Sequence, residues 1–250
     1  MVAREVQATD PQVLRDLATV RLGTAYFRRA LQRVRNDEFA APSLLPGWRR
    51  EQLVAHVGYN ARAVARLVTW AATGVETPMY ASPEARAEEI EAGATLRPDA
   101  LRSLCEHAAI DLDVRWRDLP DDRWGATVVT AQGREVPASE TLWMRSREVW
   151  LHAVDLRNGG SVDDFPEELI DLLLADLIAV WRRKLPADAQ DIVLEPIDRE
   201  NAFGIRQTSD DTSLIVRGSA RDLVAWGTGR GSRGVLTAAG DPPPAAPGWL

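Results

Sequence analysis

Apolar residues in the first 160 positions recur at steps of three and four among charged residues, a period that predicts amphipathic helices. Gly74 is expected to end the second helix and Pro120 the third, because neither residue favours helix continuation. Ser139 is expected to cap the start of the fourth. The predicted helices cover residues 10–36, 51–73, 84–119, with an interruption near Gly93 or Pro98, and 139–157.

A segment of different character separates the third and fourth predicted helices. Residues 126–139 place β-branched side chains before a Gln-Gly pair and Pro137 after it, which predicts an extended or hairpin-like excursion. Four helices with a longer connection before the last are typical of a bundle. The sequence therefore predicts a four-helix-bundle domain over residues 1–160, with an α+β fold for the chain as a whole.

The pattern changes after residue 160, where a strongly amphipathic helix is followed by short strand-like runs. Ser219 and Asp222 have the spacing of a helix-capping pattern. These features predict a small α/β domain over residues 161–250, with a proline-rich end at 241–250 that lacks regular structure. The predicted elements are a helix at 167–184, strands at 192–197, 203–207 and 213–218, and a helix at 219–226.

Composition excludes several classes of protein. The 250 residues are 45% hydrophobic and 27% charged, which is ordinary for a globular protein. Their net charge of -7 and the lack of a basic block argue against a nucleic-acid partner. The chain shows neither an apolar signal-like start nor a run of about 18 apolar residues, so we expect a cytoplasmic protein without a membrane partner. Cys105, the single cysteine, rules out an internal disulfide and a cysteine-rich zinc cluster.

The fourth predicted helix carries Glu148 and His152 four residues apart, hence on one side, in otherwise apolar surroundings. A buried carboxylate costs several kcal/mol unless it has a partner. That partner could be a metal ion, with His56 of the second helix as the third ligand; two histidines and a carboxylate suit zinc and also non-haem iron. Alternatively, Glu148 and His152 pair with each other, and His56 is a core imidazole bonded to a backbone carbonyl.

Other reactive residues point to chemistry less directly. Cys105 lies in an apolar helical stripe and is expected to pack as a small hydrophobe, while His107 beside that stripe is expected at the surface. The segment 229-GRGSRG-234 matches the dinucleotide fingerprint, but it follows a helix and only 16 residues come after it, so we exclude a dinucleotide site. Its Arg230 or Arg233 could bind a carboxylate, or the loop could be a solvated turn.

Three stretches of the sequence are informative together: residues 45–80, residues 139–156 and the late Gly-Arg-Gly loop. They resemble the mycothiol-dependent maleylpyruvate isomerases, which belong to a broader DinB-like group of metal- and thiol-dependent enzymes. The resemblance implies an N-terminal DinB-like four-helix bundle followed by a small C-terminal α/β domain resembling sterol-carrier folds. It implies a zinc ion held by His56, Glu148 and His152, and Arg230 acting on the substrate, with Arg233 close enough in sequence to exchange roles.

The resemblance also implies a reaction, the cis–trans isomerisation of maleylpyruvate to fumarylpyruvate in gentisate-type aromatic degradation. Mycothiol would add to the conjugated double bond, the bond would rotate while single, and elimination would follow. Two other functions stay open: a mycothiol S-transferase acting on electrophiles, and a zinc-stabilised binding or regulatory module without catalysis. The expected partners are therefore a small-molecule substrate and a low-molecular-weight thiol; the sequence leaves the oligomeric state open.

Overall fold

The structure is a computed structural model that describes residues 5–186, 188–204 and 213–249. It is an α+β fold, as predicted, with helices throughout and two small sheets. Residue contacts divide the chain into two compact units, Met1–Gly160 and Ser161–Leu250. Across the described ranges, no helix combines the length and apolar composition needed to cross a membrane.

The helices of the first unit follow the predicted periodicity, with one division. Thr95 to Arg97 interrupt the third predicted helix, because the ring of Pro98 disfavours helical backbone at Arg97, which is extended at φ -63° and ψ 151°. Gly74 ends the second helix in the left-handed conformation, at φ 72°. The observed helices are α1 Pro11–Arg33, α2 Arg50–Thr73, α3 Pro83–Ala94, α4 Pro98–Arg117 and α5 Glu140–Asp155.

The bundle is formed by α1 against α5, α5 against α2, and α2 against α4, with α3 lying against α2. Two helical glycines allow close crossings. A side-chain carbon at Gly23 would lie 2.5 Å from Nε1 of Trp150, and one at Gly58 would lie 2.8 Å from Cγ of Leu104. Hence α1 packs tightly on α5 and α4 tightly on α2, and the two helices that carry the candidate metal ligands are each supported from outside.

A short hairpin joins α4 to α5, as the sequence predicts. Its strands, β1 Thr127–Val129 and β2 Glu135–Pro137, pair antiparallel. The capping prediction for Ser139 is wrong: its side chain makes no capping hydrogen bond. The backbone of Ser139 is already helical, at φ -58° and ψ -30°, whereas a capping side chain acts from an extended backbone.

The second unit combines two helices with a four-stranded sheet. The strands are β3 Ile192–Pro196, β4 Phe203–Gly204, β5 Leu214–Gly218 and β6 Leu236–Thr237. Their order in the sheet is β4-β3-β5-β6; β3 runs parallel to β5, and the other neighbours are antiparallel. Ser219 accepts a hydrogen bond from the backbone N–H of Asp222, so the predicted cap is confirmed. The two helices are α6 Glu167–Lys184 and α7 Ala220–Gly227.

Two strands of this unit differ from the sequence prediction. Residues 203–204 form β4, while the remaining part of the predicted strand at 203–207 lies outside the described residues. Leu236–Thr237 forms β6, which the sequence did not predict, because two residues are too short for an alternating pattern. Edge strands of this length are held by their neighbour in the sheet, here Val216 and Arg217 of β5.

Residues 242–249 have no regular structure, as predicted, yet they are anchored to the second unit. The indole N–H of Trp181 donates to the carbonyl oxygen of Pro247 at 3.1 Å, and that of Trp226 to the carbonyl oxygen of Pro244 at 2.9 Å. Trp249 is only 5% exposed, and its indole N–H donates to the carboxylate of Asp176 at 3.0 Å. The end of the chain therefore contributes to the core of this unit.

Replacing Trp249 with alanine is expected to lower the free energy of unfolding by about 3–5 kcal/mol, the usual cost of removing a buried tryptophan. Urea denaturation followed by far-ultraviolet circular dichroism would measure it. Leu236→Ala is the control, because this side chain is 47% exposed and its loss should cost less than about 0.5 kcal/mol. Equal stability of the two variants would contradict an anchoring role for Trp249.

Candidate metal centre

Helices α2 and α5 bring together the three residues that the sequence singled out. Nε2 of His56 lies 2.9 Å from Oε2 of Glu148, and Nε2 of His152 lies 3.0 Å from the same oxygen. One ligand atom from each residue falls within 4.8 Å of the others. The step of four on α5 places Glu148 and His152 on one side of that helix, and α2 supplies His56 from the facing side.

Asp155 orients His152 and was missed by the sequence analysis. Its carboxylate Oδ2 lies 2.8 Å from Nδ1 of His152, and its side chain is fully buried. A carboxylate on one imidazole nitrogen fixes the ring and directs the other nitrogen, as is common for metal-binding histidines. The signal in the sequence is an aspartate three residues after His152, which shares its helix face.

His56 sits among aromatic and cationic groups. Nη2 of Arg86, on α3, lies 3.4 Å from Nδ1 of His56, and the ring of Trp48 contacts the imidazole edge-on at 5.5 Å between ring centres. The guanidinium of Arg86 also lies 5.9 Å from the centre of the Tyr80 ring. α3, which separates from α4 at the interruption before Pro98, therefore adds a positive charge beside the candidate ligand.

The protons of this cluster are distributed unequally. Burial alone would raise the pKa of Glu148, but the charge of His56 and hydrogen bonds from both histidines hold it well below its ordinary value. Burial lowers the pKa of His56. Burial would also lower the pKa of His152, but its hydrogen bonds to Asp155 and Glu148 outweigh this effect and raise it. The glutamate is therefore an anion, stabilised by the protons of its imidazole partners.

The donor set fits a divalent metal ion. Two imidazole nitrogens and one carboxylate oxygen, converging from two helices, form a three-residue set typical of catalytic zinc, which leaves a position for water or a ligand. The set also suits iron(II). The side chain of Glu148 is 20% exposed, so the cluster can be reached from outside the core. A cation here would take over the charge compensation that imidazole protons now provide, releasing those protons.

Other candidate residues lie apart from this chemistry. Cys105 is buried on α4, with Sγ 3.2 Å from the carbonyl oxygen of Val54, and burial raises the pKa of its thiol to about 12. Such a thiol is protonated and unreactive at neutral pH. His107 is exposed, as predicted. Among the described residues, no second group of three His, Cys, Asp or Glu side chains offers clustered ligand atoms.

The glycine-rich loop of the second unit follows α7. Arg230 is half-buried: its Nη1 donates to the carbonyl oxygen of Thr228 at 2.5 Å, and its backbone N–H donates to that of Ala225 at 2.7 Å. Arg233 is exposed. Arg230 is thus held against the end of α7, while the substrate-binding role expected of it stays a prediction.

Comparison with known proteins supplies an independent view. The profile of the family described as "Mycothiol maleylpyruvate isomerase N-terminal domain" matches residues 20–157. A crystal structure of the mycothiol-dependent maleylpyruvate isomerase is 46% identical, covers 95% of this chain and 97% of that chain, and has a TM-score of 0.89. A histidine-to-alanine mutant of that enzyme gives 45% identity at the same coverage and TM-score. No curated protein sequence gives a significant match.

Proposed function

The chain belongs to the mycothiol-dependent maleylpyruvate isomerase family, and we propose that it catalyses the mycothiol-dependent cis–trans isomerisation of maleylpyruvate to fumarylpyruvate. One observation carries this proposal: the likeness to the solved isomerase extends over 95% of the chain, across both units, at 46% identity. The cluster of His56, Glu148 and His152 lies within residues 20–157, the part of the chain that the family profile matches. The substrate is then a small unsaturated oxo acid and the cofactor a low-molecular-weight thiol.

The reaction requires a nucleophile that this chain does not provide. Mycothiol, when bound, supplies a thiol that adds reversibly to the conjugated double bond, so that the bond can rotate while it is single. Cys105 cannot take this part, because it is buried and the pKa of its thiol is raised to about 12. Because Cys105 is the single cysteine, the thiol must come from a separate molecule, as the proposed use of mycothiol requires.

We propose that His56, Glu148 and His152 hold a zinc ion, and that Asp155 keeps the imidazole of His152 turned toward it. Zinc, when bound, supplies positive charge that lowers the pKa of a thiol beside it. Glu148 contributes the negative charge that binds the cation, and burial of both imidazoles keeps water from competing for their nitrogens.

Arg230 is proposed to bind a carboxylate of the substrate through its guanidinium fork. Arg230→Lys is then expected to lower kcat/KM by about 10- to 100-fold, the worth of a hydrogen bond to a charged group. Arg233→Lys is the matched control and should remain near the wild-type value, because this residue is exposed. The reverse result would assign the role to Arg233, and wild-type rates in both variants would contradict a substrate role for either.

The function is tested by following maleylpyruvate in the ultraviolet with and without mycothiol, using protein whose metal content has been measured. Conversion to fumarylpyruvate only with the thiol is the expected result. Conjugates of mycothiol with other electrophiles, without isomerisation, would indicate a thiol transferase instead. No reaction of either kind by zinc-loaded protein would indicate a binding module. The cytoplasmic location stays a prediction from the sequence.

A further inference from the structure

A cavity of about 330 Å³ lies between α1 and α4, on a part of the bundle that the proposed reaction does not use. Helices α1 and α4 supply its sides, and α5 supplies Arg145 and Val149. None of His56, Glu148 and His152 lines it. The walls are predominantly apolar and include Phe27, Leu31, Ala109, Ile110, Leu112 and Trp116.

Arg145 is an unusual residue for such surroundings, because it is only 2% exposed and has no described carboxylate in direct contact. Within the described part of the chain, the only carboxylate whose charge favours its protonated form is that of Glu148, on the same helix. Its Nη1 donates to the carbonyl oxygen of Val57 at 2.9 Å and to Oδ1 of Asn60 at 2.8 Å. Among the described residues, its Nε and Nη2 have no hydrogen-bond acceptor, and no carboxylate lies within ion-pair distance of it. A guanidinium edge that lines a cavity and makes no hydrogen bond to the protein is available to an anion that enters the cavity.

The other charges around the cavity are already compensated. Arg21 pairs with Asp113 at 2.6 Å, and Arg28 pairs with Glu106 at 2.7 Å, so the acidic residues of the lining are neutralised by α1. Both pairs are exposed and link α1 to α4, and exposed pairs of this kind are worth about 1 kcal/mol or less. Within the described ranges, Arg145 has no direct ion pair and is compensated only by the more distant charge of Glu148, so it favours an anion in the cavity, and the two exposed pairs present only a weak barrier to entry.

We propose that this cavity binds an aromatic carboxylate, with its ring system between the apolar walls and its carboxylate on the Nε–Nη2 edge of Arg145. Two parallel hydrogen bonds from that edge match the two oxygens of a carboxylate. An apolar cavity of about 150 Å³ can hold benzene, so a cavity of about 330 Å³ has room for one or two fused rings. Phe27 and Trp116 supply aromatic contacts for them.

Binding of this kind does not require α2 to move. The bonds of Arg145 to Val57 and Asn60 leave from Nη1, whereas the carboxylate would use the other edge of the guanidinium. The interaction between α2 and α5 that supports the metal centre is then retained, and the site should bind its ligand whether or not the proposed reaction takes place.

The experiment is calorimetric titration of the full-length, zinc-loaded protein with 2-naphthoate and with the neutral 2-naphthalenemethanol. We expect naphthoate to bind one molecule per chain and at least about 10-fold more tightly than the alcohol, since charged hydrogen bonds contribute the difference. Arg145→Met should remove this preference while leaving alcohol binding near its wild-type strength. Equal affinities for the two probes in the wild-type protein, or no binding of naphthoate at millimolar concentration, would overturn the proposal.

Two further variants keep the result interpretable if Arg145→Met folds poorly. Ala109→Phe adds bulk to the cavity wall without changing Arg145, and it should weaken both probes by about 10-fold or more. Glu148 lies outside the cavity, and Glu148→Gln should not weaken naphthoate binding, because loss of the negative charge that acts on Arg145 favours an anion there. If Glu148→Gln abolishes naphthoate binding, or Ala109→Phe leaves it unchanged, the carboxylate is bound at the metal centre or elsewhere, and the proposal is wrong.

Discussion

Glu148→Gln is expected to lose most of the bound zinc and to lower isomerase turnover by more than about 100-fold. Even substitutions that only support a metal ligand commonly cost 10- to 100-fold in affinity or activity, so loss of the ligand itself should cost more. The amide also removes the negative charge that balances the cation and turns an N–H group toward an imidazole nitrogen of His56 or His152, which each lie about 3 Å from the present carboxylate oxygen. Metal analysis of the purified variant and steady-state rates would measure both effects.

The fold should survive this change. Glutamine and glutamate have similar helix propensities, and the neighbouring Val149 and Leu151 remain as fully buried contacts of α5. Glu140→Gln provides the same substitution at the start of the same helix, where the carboxylate is far more weakly engaged, 3.6 Å from Arg134. It should retain its zinc and its activity. Full zinc and full turnover in Glu148→Gln, with native circular dichroism, would show that the cluster is not the metal site.

Part of the cluster could be predicted from the sequence, because two of its three residues, Glu148 and His152, are close together along the chain. Glu148 and His152 are four residues apart on one predicted helix, so their shared side follows from helical geometry alone. His56 lies 92 residues earlier than Glu148, and no local rule brings it there. The choice of His56 depended on its place in an apolar stripe and on the family resemblance, and the packing of α2 against α5 places it beside the pair.

Features that depend on packing rather than periodicity were not predictable in the same way. The spacing of Asp155 from His152 is common for a polar residue near a helix end, and its complete burial against His152 is what shows its importance. Arg145 likewise reads as a surface position, although it reaches across to the backbone of Val57. The cavity beside it results from the loose approach of α1 to α4, which no residue pattern within either helix encodes.

The role assigned to Asp155 leads to a second large expected effect. Asp155→Asn should weaken zinc binding by about 10- to 100-fold, because the amide oxygen can still accept a hydrogen bond from Nδ1 of His152 but no longer carries the charge that strengthens it. Competition with a chelator of known zinc affinity would give the change. Asp111→Asn, at an exposed ion pair with Arg115 on α4, is the control and should bind zinc as the wild type does.

The two variants should respond differently to added metal. Asp155→Asn keeps all three ligands, so excess zinc should restore most of its turnover, whereas Glu148→Gln lacks a ligand and should remain impaired at any zinc concentration. Both variants are expected to fold, so the response to zinc distinguishes a residue that orients a ligand, Asp155, from a residue that is itself a ligand, Glu148. Should saturating zinc fail to rescue Asp155→Asn while its fold is native, Asp155 would have a direct part in the reaction beyond positioning His152.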